Sequence, residues 1–90
     1  MNRKDEIDAY LQNLVEFIKK KFCSPYKING KEVSRNEYSE KSGISKGTLS
    51  RLNEGKGYDV PTSTIFKLCT FAGISLNEFF TEFDEAYNKA

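Results

Sequence analysis

The sequence predicts an all-α domain of five helices, and three features predict it. Glycines at 43, 55 and 73 each close a run of helically spaced apolar residues, where a left-handed C-terminal cap is wanted. Two capping boxes, Ser34-Arg35-Asn36-Glu37 and Ser75-Leu76-Asn77-Glu78, mark helix starts, and Ser45 and Pro61 mark two more. Ahead of them lies a long amphipathic stretch. Ninety residues, 38% hydrophobic and 13% aromatic, suit a single domain over 1–90 with one compact core.

The first helix is expected over 5–22. Ile7, Tyr10, Leu11, Leu14, Val15, Phe17, Ile18 and Phe22 recur at intervals of three and four, with acids early and Lys19, Lys20 and Lys21 late, as the helix dipole favours. Cys23-Ser24-Pro25 breaks it. Residues 26–33 read as a small hairpin about Asn29-Gly30, the pair a type I′ turn prefers. That turn sets Tyr26 opposite Val33 and Lys27 opposite Glu32. A hairpin so short is marginal alone, so an irregular loop is the alternative. The second helix opens at Ser34 and stops at Gly43; the third runs from Lys46 to about Asn53 and stops at Gly55. The fourth carries Ile65, Phe66, Leu68, Cys69 and Ala72 to Gly73, and the last carries Leu76, Phe79, Phe80, Phe83 and Tyr87.

Composition narrows the function. Histidine is absent, so no imidazole is available for a catalytic triad, and the two cysteines lie 46 positions apart without zinc spacing. The phosphate-cradle pattern fails, because Thr48 follows Gly47 where lysine belongs. These absences argue against an enzyme and predict neither cofactor nor metal. Without a membrane-length apolar run or a basic-then-apolar leader, the expectation is a soluble protein, not secreted and not in a membrane. Free cysteines fit a reducing cytoplasm. Net charge is +1, with +4 over residues 1–57 and −3 over 58–90. A polyanion-binding face with an acidic tail would give that split, and so would ordinary scatter.

The function-bearing pair spans about 35–53: two short helices joined by Gly43-Ile44-Ser45. Ile44 fills the corner, Tyr38, Leu49 and Leu52 face inward, and Ser39 is small where the helices cross. Lys46, Gly47, Thr48, Ser50 and Arg51 then remain on the outer side of the second helix. All five are small or hydrogen-bonding and none is acidic. A solvated helix without a partner more usually mixes Glu and Lys there.

The run Ser34-Arg35-Asn36-Glu37-Tyr38-Ser39-Glu40-Lys41-Ser42-Gly43-Ile44-Ser45-Lys46-Gly47-Thr48-Leu49-Ser50-Arg51-Leu52 resembles the lambda-repressor-like, or Cro/XRE-type, helix-turn-helix proteins. Thr64–Cys69 and Gly73–Phe80 resemble the fourth and fifth helices of that fold. The likeness covers about 34–80. It departs at Tyr38 (usually Leu), Ser39 (usually Ala), Arg35 (commonly Gln), the order Asn53-Glu54-Gly55 and the long 23–33 insertion.

The resemblance implies double-stranded DNA as partner, with the helix over 46–53 in the major groove. Lys46, Gly47, Thr48, Ser50 and Arg51 would meet base edges, Arg51 foremost, because a guanidinium can bond guanine O6 and N7 together. Arg35, Ser45 and Lys56 would meet phosphates, with solvated surface as the alternative for Arg35 and Lys56. For Thr48 a structural role is the alternative. Gly47 costs about 1 kcal/mol against alanine inside a helix, a penalty explained if close approach to DNA requires it.

Phe79, Phe83 and Tyr87 extend the last stripe beyond the usual domain end. They imply a homodimer on a palindromic site, with packing on the first helix as the alternative. The implied role is a transcriptional regulator or repressor. The rival from another class is a protein-interaction module, antitoxin-like, gripping a partner protein with the aromatic C-terminal helix. No ligand pocket is legible.

Overall fold

A computed structural model describes residues 3–55 and 58–87. Five helices surround one core: α1 (Arg3–Phe22), α2 (Arg35–Ser42), α3 (Lys46–Glu54), α4 (Thr62–Ala72) and α5 (Leu76–Tyr87). A two-stranded antiparallel hairpin, β1 (Lys27–Ile28) and β2 (Lys31–Glu32), separates α1 from α2. The stop signals act as expected: Gly43, Gly55 and Gly73 cap three helices at φ 77, 66 and 74°. The hairpin takes the expected register, Lys27 opposite Glu32, with Asn29 and Gly30 both at positive φ. The Val33 N–H closes it by donating to the Tyr26 carbonyl at 2.9 Å.

The two capping boxes turn out differently. At α5 both bonds form: Glu78 N–H donates to Ser75 Oγ at 3.0 Å, and Ser75 N–H to Glu78 Oε1 at 3.2 Å. At α2 only the serine half forms, Glu37 N–H to Ser34 Oγ at 3.1 Å. Glu37 does not reach back as expected, because its carboxylate pairs with Lys41 one turn on, at 3.2 Å.

Every helix contributes to the core. Leu14, Val15, Ile18 and Phe22 come from α1, Tyr38 from α2, Leu49 and Leu52 from α3, Ile65, Leu68 and Cys69 from α4, and Phe79 and Phe83 from α5. Phe66, on the expected α4 stripe, is instead 57% exposed. The first two turns of α1, residues 3–10, are exposed as well.

The aromatic stripe of α5 takes the intramolecular home. Phe79 and Phe83 are completely buried. Phe17 of α1 meets Phe79, Phe83 and Tyr87 with ring centroids 5.3, 5.6 and 5.9 Å apart, and Phe22 stacks on Phe79 at 5.8 Å. Lys21 pins the two helices by a 2.9 Å bond to Glu82. Burying each phenylalanine contributes roughly 1.5–3 kcal/mol, more than an exposed face offers a helix left to itself. This corrects the dimer expectation for Phe79 and Phe83, which have no surface left for a second copy. Tyr87 is half-buried against Phe83 and Phe17.

Both cysteines are free and buried. Burial pushes the Cys23 thiol up to about 11 and the Tyr38 hydroxyl up to about 12. The folded state therefore holds both protons more tightly than the unfolded chain, whose groups ionise near 9 and 10. That contribution is complete below about pH 9 and is lost as pH rises through the folded values. Urea midpoints should fall steadily from about pH 9 upward, and a midpoint constant to about pH 11 would contradict this linkage.

Candidate nucleic-acid interface

The geometry of α3 begins with the turn that delivers it. Gly43 N–H donates to the Ser39 carbonyl at 3.0 Å, and the left-handed glycine swings the chain to Ile44, which is buried in the corner. A buried backbone needs partners for both its polar groups. Ser39 Oγ donates to the Ile44 carbonyl at 2.6 Å, and Ile44 N–H donates to Ser42 Oγ at 3.1 Å. The sequence had suggested Ser39 only as a small residue at the crossing. Its hydroxyl does more, and with Ser42 it ties the turn to α2 through both backbone polar groups of Ile44.

Ser45 then caps α3: Thr48 N–H donates to its Oγ at 3.1 Å, and the same hydroxyl donates to Thr48 Oγ1 at 3.0 Å. This pair favours the structural alternative for Thr48, and it holds the hydroxyl of Ser45 in the cap. At the far end Gln12 of α1 donates to the Gly55 carbonyl, satisfying a group the helix itself leaves open. Leu49 and Leu52 are fully buried beneath α3. Burying that side turns the opposite one outward.

On that outer side Lys46, Gly47 and Arg51 are exposed, while Thr48 and Ser50 are half-buried. Gly47, Arg51 and Glu54 recur at helical spacing along one stripe. A Cβ built on Gly47 meets only Ser45 Oγ, at 3.9 Å, so nothing within the chain demands glycine there. Arg35, first residue of α2, donates from Nη1 to Ser50 Oγ at 3.1 Å. An expected phosphate residue and an expected base residue are thus joined across two helices. Arg51 lies over the ring of Tyr58, its Cζ 5.9 Å from the centroid. Lys56 lies outside the described residues.

The arrangement gathers Arg35, Lys46 and Arg51 around a helix with a free outer face, and Glu54 is the acid on it. It offers cations and neutral donors to a polyanion. It offers no nucleophile–base pair, and among the described residues no group of three or more His, Cys, Asp or Glu side chains could hold a metal ion. No described helix is long and apolar enough to cross a membrane.

The structure also has a groove that the sequence did not suggest. It encloses about 510 Å³ between the end of α1, the hairpin and the end of α4, with Lys20, Lys21 and Lys27 on its walls beside Phe22, Tyr38 and Phe71. No residue of α3 lines it. Nothing local could have announced it, since it forms where three separated segments meet.

Compared with known proteins, residues 14–85 match the family model described as a Cro/C1-type HTH DNA-binding domain. Neither a curated protein nor a solved structure matches the chain.

Proposed function

This chain belongs to the Cro/C1-type helix-turn-helix DNA-binding family, and we propose that it binds double-stranded DNA sequence-specifically as a small transcriptional repressor in the cytoplasm. In this reading α3 enters the major groove, Arg51 and Lys46 meet base edges, and Arg35 and Lys56 meet phosphates. One observation supports it above the others. The face of α3 opposite Leu49 and Leu52 is open from Lys46 to Arg51, free of acids, and carries a glycine that the fold does not need.

A single domain of this size buries limited surface on DNA, so the repressor acts as a homodimer on a palindromic site. With the α5 stripe covered by α1, the large apolar side chains exposed among the described residues are Ile7, Tyr10 and Phe66, and that contact would draw on them. The partner-protein reading rested on the α5 stripe and loses its main support with it.

The test is selection of the purified protein from a random duplex library. An enriched palindromic motif supports the reading and gives the half-site spacing. Weak, salt-sensitive retention without a motif contradicts it.

Gly47→Ala gives a second check with opposite signs in its two readouts. Helix propensity predicts a gain in stability approaching 1 kcal/mol, because the added methyl has room. Affinity for the selected duplex should fall, because the same methyl stands on the face that meets DNA. Thermal melts and titrations on one preparation measure both, and a variant that is more stable and binds equally well removes the close-approach role.

A further inference from the structure

Tyr58 lies in the connection between α3 and α4, seven residues beyond Arg51, and its half-buried ring packs against the hydrophobic core. The core therefore fixes the ring while Arg51 above it is exposed. At 5.9 Å from the centroid, the guanidinium carbon is within the range where a ring's negative face attracts a cation. Such a contact uses no N–H bond, so the arginine keeps its full set of donors. It also restricts a long side chain that otherwise samples many rotamers before it meets a base.

We propose that Tyr58 is a specificity-determining positioning residue, whose ring orders the Arg51 guanidinium for the base edge it reads. This rests on the DNA reading above. The ring, not the hydroxyl, does the work, which separates this role from a phosphate contact by the phenol. The π face, not bulk alone, does the work, which separates it from simple core filling.

Two substitutions divide these roles. Tyr58→Phe removes the hydroxyl and keeps the ring; Tyr58→Leu keeps apolar bulk and removes the ring. The quantity to measure is discrimination: affinity for the selected motif over affinity for a duplex altered at the position Arg51 reads. Tyr58→Phe should match wild type. Tyr58→Leu should lower the ratio roughly two- to fivefold, the strength of an exposed cation–π contact, while its affinity for random duplex and its salt slope stay unchanged. In an Arg51→Ala background, Tyr58→Leu should change the ratio no further.

A measurement without DNA keeps the proposal separable from the reading beneath it. In the free protein, side-chain NMR resonances of Arg51 should be displaced by the ring current, and Tyr58→Leu should return them to ordinary arginine values. Ordinary Arg51 shifts in the wild type would overturn the proposal, as would full discrimination by Tyr58→Leu or equal losses from the Phe and Leu variants. A wild-type protein that selects no motif overturns the DNA reading, and the specificity role with it, even where the ring-current shift is present.

Discussion

Phe83→Ala should remove about 3–5 kcal/mol of stability, the usual cost of deleting a buried phenylalanine side chain. A domain of 90 residues has only about 5–13 kcal/mol in total, so the variant should lose from roughly a quarter to all of its stability. Phe83 is completely buried, with the rings of Tyr10, Phe17 and Tyr87 at 5.1, 5.6 and 5.3 Å. Those rings belong to two helices already tied by Lys21 and Glu82, so the void has little freedom to collapse. Urea unfolding followed by circular dichroism measures the loss. An interface residue would behave otherwise: the variant would stay folded with an unchanged midpoint while the sedimenting species halved in mass. That result would overturn the assignment of this stripe to the core.

The second large effect is on recognition. Arg51→Ala should lower affinity for the selected site by about 1–3 kcal/mol, a factor of roughly five to more than a hundred, and relax preference at one base position. Random duplexes should be nearly unaffected. Arg35→Ala is the contrast. A lost phosphate contact weakens every sequence alike and reduces the salt slope by about one. The bond from Arg35 to Ser50 adds a structural consequence, because its loss also frees a hydroxyl on the reading face. Parallel titrations on the selected and a scrambled duplex, at three salt concentrations, separate the two arginines. Equal losses on both duplexes from Arg51→Ala would remove its reading role.

What the sequence made legible was local. Gly43, Gly55 and Gly73 could be assigned because a left-handed cap is a property of one residue, and the hairpin register followed from Asn29-Gly30 alone. The inward side of α3 was equally plain, since Leu49 and Leu52 are one turn apart. Choices between distant partners were not. An apolar stripe such as Phe79, Phe83 and Tyr87 declares that it will be covered, and says nothing of whether α1 or another copy covers it. Glu37 could bond Ser34 or Lys41, and spacing permits both. The link from Arg35 to Ser50, the ring beneath Arg51 and the groove beside the hairpin each join segments that only tertiary packing brings together. The family resemblance identified the helix to examine, but the pairing of Tyr58 with Arg51 is visible only in the structure.

The two serine bonds to the backbone of Ile44 have a thermodynamic consequence. With both its polar groups held by α2, the corner between the two helices has no unfinished ordering left for a target to complete. Association then carries the heat-capacity change of the surfaces that meet, without the larger change that accompanies a segment folding as it binds. The pair docks as one preformed solid, and its calorimetric signature is that of a rigid body.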